Sequence, residues 1–518
     1  MKAFEKSNRL LPGIALGVVA LTGLAALAQP APGRGGGGRG AAAPATPAVS
    51  EEYLLLGDAT RGAGEPMIAV DPTDPKNIVA VAMGNLFNLK YGRMAEIPRS
   101  TIPWLAVSHD AGLSWKVSEL PIMHDDLVRC SDEMVDVTQD GRFIAGCMAM
   151  QVANPRFGAA ALVVSYDKGD SWGPPVNTIT SLSVDRYAPG LRPRVVGGLP
   201  FDRPFTAIDD STGIVYVEGR GGQTDIGAPP GQFRSQSYIT ASTDGGNSFG
   251  TIYSWDSKDY QQSVRGAMTA GHGEAAVVYI ASKVPAKEKA SCPCAVMGIT
   301  KDMGKTFAYH VLKNFTPVPA PQGAAGGRGR GAGGDDEGGG GRLGPADGHG
   351  TGHIGATGGF VSISSDFTKE GRYAILKYGV QNGRPVFWVT VSEDHGQTWS
   401  PFVTAATSTD AVGFDKQFAF KFDRNGVLAL AWRAVYADGS YDLWTAISKD
   451  GGHSFSDPYR ISRAKSPYNI RHGSNGQNDD YASLSMSKDN LFVVWGDERA
   501  GFLGTWFGRV ALSAYKFQ

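Results

Sequence analysis

Residues able to do chemistry recur at two kinds of position in this 518-residue chain. One kind stands just ahead of an apolar, strand-like run: Glu65, Asp132, Glu133, Asp202, Arg203, Arg265, Asp415, Lys416, Asp479, Asp480 and Tyr481. The other follows the next apolar run: Asn85, Glu218, Arg220, Lys283, Arg433, Asp497, Glu498 and Arg499. A guanidinium offers a planar fork of donors that matches the two oxygens of a carboxylate. Arg203, Arg265, Arg433 and Arg499 are therefore candidates to grip an anionic group, with Lys416 as an added point charge. Tyr481 beside Asp480 sets a hydroxyl next to a carboxyl. Asp132 and Glu218 are further carboxyls suited to moving protons. The plainer alternative stays open for Asp132-Glu133, Asp480-Tyr481 and Trp495-Gly496-Asp497-Glu498-Arg499: such groups also brace a backbone or tie neighbouring elements together.

These positions acquire meaning from the elements around them. Each stretch has the same grammar: a first strand, an Asp/Gly-rich turn, a second apolar strand, then a third strand. Met67-Ile68-Ala69-Val70 and Ile78-Val79-Ala80-Val81 illustrate it, as do Phe418-Ala419-Phe420 and Val427-Leu428-Ala429-Leu430. The third strand runs into an octapeptide that occurs six times, beginning at Ser108, Ser165, Ser242, Thr300, Ser392 and Ser448. Its pattern is Ser/Thr-x-Asp-x-Gly-x-Ser/Thr-aromatic, as in Ser108-His109-Asp110-Ala111-Gly112-Leu113-Ser114-Trp115. Asp at the third position can accept from backbone N–H groups two or three residues on, and Gly at the fifth supplies positive φ. The hydroxyls can tie the hairpin ends, and the aromatic can fold back on a neighbour. Six equivalent aspartates read as structural, not catalytic.

In a four-stranded antiparallel meander, the start of strand one and the end of strand two lie at one end. The octapeptides, between strands three and four, lie at the other. The chemistry-bearing residues therefore gather on one face, with Phe87, Tyr91 and Trp104 carried toward it as surfaces for stacking a sugar ring.

Counting units gives seven. After the last octapeptide, Asp480-Tyr481-Ala482-Ser483-Leu484, Leu491-Phe492-Val493-Val494-Trp495 and Trp506-Phe507-Gly508-Arg509-Val510 form three strands. The isolated strand Tyr53–Leu56 would supply the fourth, closing a ring and removing exposed edges. The expectation is all-β: a propeller of four-stranded antiparallel blades, seven by this count and six as the alternative, occupying residues 51–518. Residues 1–28 read as a signal peptide, with Lys2, Lys6 and Arg9 before an apolar run ending in Ala26-Leu27-Ala28. Residues 29–50 read as a disordered Gly/Pro/Ala-rich spacer, and about 316–353 as a disordered Gly-rich insertion between the fourth and fifth octapeptides. The mature chain is expected to be secreted or periplasmic, monomeric, and without a stable membrane span once the signal is removed.

Net charge is −1, so bulk electrostatics gives no ground for a nucleic-acid partner. There is no Walker loop, His-Glu-x-x-His helix or Gly-x-Ser-x-Gly elbow. No metal-ligand spacing occurs and no cofactor is implied; the many Asp and carbonyl groups leave room for a structural calcium. Of four cysteines, Cys130 and Cys147 flank the turn at Asp140-Gly141. A simple register sets Cys147 opposite Met134, so a disulfide to Cys130 needs the intervening chain to fold back. Cys292-Pro293-Cys294 would close a very small ring. Both pairings stay open.

The octapeptide resembles the Asp-box, or BNR, repeat of sialidases and other β-propellers. The resemblance implies three arginines clamping a substrate carboxylate, a Tyr nucleophile paired with a Glu, and an Asp as acid/base. On that basis Arg203, Arg265, Arg433 and Arg499 fit the clamp. Tyr481 beside Asp480 fits the nucleophile, with Glu218 or Asp132 as the acid. Sialidases have six blades and an aromatic-Arg-Ile-Pro motif near the N-terminus. Here Asp202-Arg203-Pro204-Phe205 is a loose echo, placed in the third unit. The resulting expectation is an exported sialidase-like glycoside hydrolase acting on acidic glycans. The alternative is a non-catalytic propeller that binds a glycan or an exported protein.

Overall fold

A computed structural model describes the backbone of residues 51–88, 93–94, 101–124, 127–151, 158–181, 183–191, 202–224, 233–264, 266–313, 315, 361–467 and 481–517. The signal, spacer and Gly-rich insertion read from the sequence lie outside these residues. Within them the regular structure is strand apart from a few single 3₁₀ turns. The strands form seven antiparallel sheets. Blade 1 comprises Arg61–Val70, Ile78–Asn88, Trp104–Ser108 and Lys116–Glu119. Blade 2 comprises Leu127–Val137, Phe143–Gln151, Gly158–Ser165 and Val176–Thr180. Blades 3 to 6 repeat the order, and their first strands begin at Asp202, Gln261, Val361 and Gly413.

Blade 7 is built from both ends of the ring. Ala482–Met486, Asn490–Asp497 and Gly504–Ala511 take Glu51–Leu56 as their fourth strand, with Glu52 opposite Gly508 and Tyr53 opposite Phe507. The seven-blade count and the closure by the N-terminal strand are both borne out; six blades is not the arrangement.

The core is divided among the seams between blades. Val79, Val81 and Leu105 of blade 1 pack on Phe143, Ala161 and Val163 of blade 2. Comparable clusters fill every other seam, ending with Phe492, Val494 and Phe507 of blade 7 against Ile68, Ile78 and Ala106 of blade 1. A strand buried on both faces reads as a near-continuous apolar run rather than an alternating one. Gly158–Ser165 and Leu428–Val435, buried at every residue, show this.

The octapeptides fasten these seams. In the first, Ser108 Oγ donates to Asp110 Oδ1 at 2.9 Å and accepts from Gly112 N at 2.9 Å. Asp110 accepts from Ser114 N at 2.8 Å and Ser114 Oγ at 2.6 Å, four residues on rather than the two or three expected. The difference arises because residues four and five of the motif are both left-handed: Ala111 has φ 61° and Gly112 φ 85°. All six fifth-position glycines have positive φ, and each lies against the preceding blade: Gly112 on Phe507, Gly304 on Ile239, Gly396 on Met297. Trp115 Nε1 donates to Tyr53 Oη at 2.6 Å, and Tyr53 donates on to the Gly112 carbonyl, so this copy also locks the ring closure.

Candidate functional site

In blades 1, 2, 3 and 6 the residues singled out ahead of the first strand sit inside that strand, at a repeated break in register. In blade 1, Gly64 pairs with Met83 and Met67 with Val81, leaving Glu65-Pro66 opposite Ala82 alone. In blade 2, Ser131 pairs with Met148 and Met134 with Gly146, leaving Asp132-Glu133 opposite Cys147. In blade 3, Arg203-Pro204 stands opposite Gly219, between the pairs Asp202–Arg220 and Phe205–Glu218. In blade 6, Asp415-Lys416-Gln417 stands opposite Arg433, between Phe414–Ala434 and Phe418–Trp432. Blade 4 breaks its first strand between Val264 and Met268, around Arg265. The first strand of blade 7 begins immediately after Tyr481.

These are β-bulges on the innermost strands. An extra residue bends the strand, increases its twist and re-aims side chains out of the alternating pattern. Two of the bulged acids take left-handed backbone, Glu65 with φ 52° and Asp132 with φ 53°. Non-glycine residues resist that conformation, and it persists where the surrounding structure imposes it.

Across this bulged ring, Tyr481 Oη donates to Asp132 Oδ1 at 3.0 Å, joining blade 7 to blade 2. The Tyr481 ring meets Phe205 of blade 3 edge-on, with centroids 5.3 Å apart. Asp132 is buried and Tyr481 partly exposed. Glu218 is 1% exposed and pairs across the strand with Phe205, the residue carrying the Tyr481 ring. Arg433 is buried opposite the blade 6 bulge, its guanidinium 4.2 Å from the centre of the Tyr441 ring. Asp132, Glu218, Arg433 and Tyr481 each engage further partners beyond these contacts.

The structure brings Tyr481 to Asp132, a pairing that no spacing along the chain foretells. Asp480 and Arg265 lie outside the described residues, as do the side chains of Arg203 and Lys416. The same is true of Tyr91 and of the Phe87 side chain. Trp104 opens the third strand of blade 1. Its Nε1 donates to the Gly62 carbonyl at 3.0 Å, and the Arg61 guanidinium covers its ring at 3.4 Å. Arg499 takes the bracing alternative. Its guanidinium bonds Asp497 Oδ2 at 2.8 Å and Glu52 Oε1 at 2.6 Å and lies 4.0 Å from the Trp506 ring centre. The side chains of Glu52 and Asp497 are almost wholly buried, so this one cation ties three strands of blade 7 together.

The blade 2 bulge also explains the cysteines. Cys130 pairs with Ala149, and the doubled residue beyond it shortens the offset to Cys147, giving a disulfide with Cα atoms 5.7 Å apart. The fold-back that the simple register demanded is this bulge. Cys292 and Cys294 also join sulfurs, across Pro293.

The opposite mouth of the ring, on the octapeptide side, is bridged. Arg424, in the turn after the first strand of blade 6, donates to Asp210 Oδ2 at 2.5 Å and to the Val137 carbonyl at 2.6 Å. Lys421 approaches Asp136 at 3.4 Å. These contacts span from blade 6 to blades 2 and 3. Among the described residues, no three His, Cys, Asp or Glu side chains gather as a metal site. No helix among them is long and apolar enough to cross a membrane.

No family model matches the chain, and no curated protein matches it. Solved structures similar to it include a Dyadobacter fermentans protein of unknown function, 9% identical over 89% of this chain and 97% of that one, TM-score 0.44. A Hadza microbial sialidase is 14% identical over 82% and 76%, TM-score 0.44. A polysaccharide lyase, an ulvan lyase, is 13% identical over 88% and 94%, TM-score 0.45.

Proposed function

We propose that this protein is an exported, carbohydrate-active propeller that works on acidic glycans through its bulged face, as a sialidase-like glycoside hydrolase. The observation that carries the reading is the Tyr481–Asp132 bond, a hydroxyl made nucleophilic by a carboxylate two blades away. In this reading Tyr481 Oη attacks the anomeric carbon while its proton passes to Asp132. The glycosidic bond breaks, and the leaving oxygen takes a proton from a second acid, for which Glu218 is the candidate. Water then attacks the anomeric carbon and gives up a proton to the Glu218 carboxylate; the bond to Tyr481 breaks, and its phenolic oxygen regains its proton from Asp132. Arg433, with Arg203, Arg265 and Lys416 on neighbouring bulges, supplies positive charge for the ligand's carboxylate. The buried disulfide supports maturation in an oxidising compartment.

The test is turnover on a panel of acidic and neutral glycosides and polysaccharides, comparing the wild type with Tyr481→Phe and Asp132→Asn. Activity on an acidic member, lost in both variants while the fold is kept, supports the reading. Binding without turnover would favour the second reading, a glycan-binding propeller. The observation favouring that one is that Asp132 and Tyr481 already satisfy each other and thereby brace blade 7 against blade 2.

A further inference from the structure

Glu133 is the acid at the bulged ring for which neither reading has a use. It follows Asp132 on the blade 2 bulge, is fully buried, and neither of its carboxyl oxygens has a hydrogen-bond partner among the described residues. It stands opposite Cys147, which packs with Val135 and Val137 in the apolar seam toward blade 1. The Cys130–Cys147 disulfide lies in that seam and links the bulged strand to the residue opposite the bulge.

The charged groups on the elements packed here are few. The bulged strand itself carries Arg129, Asp132 and Asp136, the last of these facing Lys421. The first strand of blade 1 carries Glu65 and Arg61, and Arg61 is taken up by Glu119 and Trp104. The first strand of blade 3 carries Asp202 and Arg203, whose side chains are not described, and Asp209 at its far end, bonded to Ser211 and Thr212. The described side chains on the second strands of blades 1 and 2 include no charged group. Blade 7 contributes Tyr481, already donating to Asp132.

An ionised carboxylate cannot stay in such a place. Burial without donors penalises the charged form heavily, and the protein's way out is to keep the proton. Burial raises the proton affinity of Glu133 well above that of an ordinary glutamate, and the neighbouring Asp132 charge adds to the effect. Two adjacent acids on one bulge are thus given opposite environments, one with a side-chain donor and one with none, and environments that push two acids apart assign them different protonation states.

We propose that Glu133 is a positioning residue for the Asp132–Tyr481 couple. As a neutral carboxylic acid sealed in the seam, it leaves Asp132 the single negative charge on the bulge. Its ionisation at alkaline pH forces the bulge open and parts Asp132 from Tyr481. The proposal rests on the reading of that couple as the working site, but its test does not depend on turnover.

The experiment is infrared titration of the intact protein from acid to alkaline pH, with Glu133→Gln and Tyr481→Phe as difference references. The expected result has two parts. A protonated-carboxyl band is present in the wild type at neutral pH, absent from E133Q, and lost on alkaline titration. The phenol band of Tyr481 changes in step with that loss in the wild type and holds steady in E133Q. Absence of the carboxyl band at neutral pH overturns the proposal, and so does a Tyr481 band in E133Q that follows the wild-type course. Should E133Q not fold, Glu133→Leu suits the apolar seam, removes the same proton, and is held to the same outcomes. If the protein turns over a glycan, E133Q should also lose the alkaline limb of the wild-type pH profile. If it turns over none, the infrared result still decides.

Discussion

A methyl group at Gly112 has nowhere to go. Its Cβ would lie 2.5 Å from Cζ of Phe507, a buried ring in the seam where the N-terminal strand closes the propeller. The residue also has φ 85°, where a side chain costs about 1–2 kcal/mol. Forcing a methyl into a packed seam adds about 1–3 kcal/mol. Gly112→Ala should therefore destabilise the protein by about 2–5 kcal/mol. The neighbouring Ala111 is left-handed too, with φ 61°, so Ala111→Gly removes strain and should be neutral or stabilise by up to about 1 kcal/mol. Urea unfolding of the two variants beside the wild type, followed by tryptophan emission, reads both numbers. A wild-type midpoint for G112A would refute the argument that the octapeptide glycine is a seam contact. So would an A111G variant destabilised as much as G112A.

Arg499→Ala should destabilise by about 3 kcal/mol. It strands the buried carboxylates of Asp497 and Glu52, while the Arg463 backbone N–H at 2.8 Å still serves Glu52. Limited proteolysis should show the N-terminal strand released first, and an unchanged unfolding midpoint would remove the brace. Replacing Cys130 and Cys147 together by alanine should cost about 3 kcal/mol, the loop-closure value for a sequence separation of 17. Thermal unfolding with and without reductant reads it, and a double variant as stable as the oxidised protein would contradict a structural cross-link.

Blade number, ring closure and the phase of the repeat were legible because they rest on local chemistry. Ser108, Asp110, Gly112 and Ser114 meet one another within seven residues, so their spacing already encodes the turn. The orphan strand at Tyr53–Leu56 could be assigned by elimination, since an unclosed ring leaves edges. The bulges were not legible. Glu65-Pro66 and Asp132-Glu133 read as lead-ins because charge inside a buried strand looks like its boundary, and only the pairing with Ala82 and Cys147 shows that the strand continues through them. The Tyr481–Asp132 bond spans 349 residues and two blades, and nothing local specifies it. The pairing of Arg499 with Glu52 was hidden for a related reason. Its partner Glu52 belongs to the N-terminal strand, which pairs at the far end of the sequence.

In the proposed mechanism Tyr481 and Asp132 form one chemical unit at the bulged end of the ring. The measurement that tests it most directly is turnover of an acidic oligosaccharide by equal amounts of folded wild type and Tyr481→Phe, the variant that deletes one oxygen. The expected result is a loss of about 10²–10⁴-fold in kcat, the scale of a lost proton-transfer or nucleophilic group, with Asp132→Asn falling alongside it. Undiminished turnover in Y481F would contradict the account.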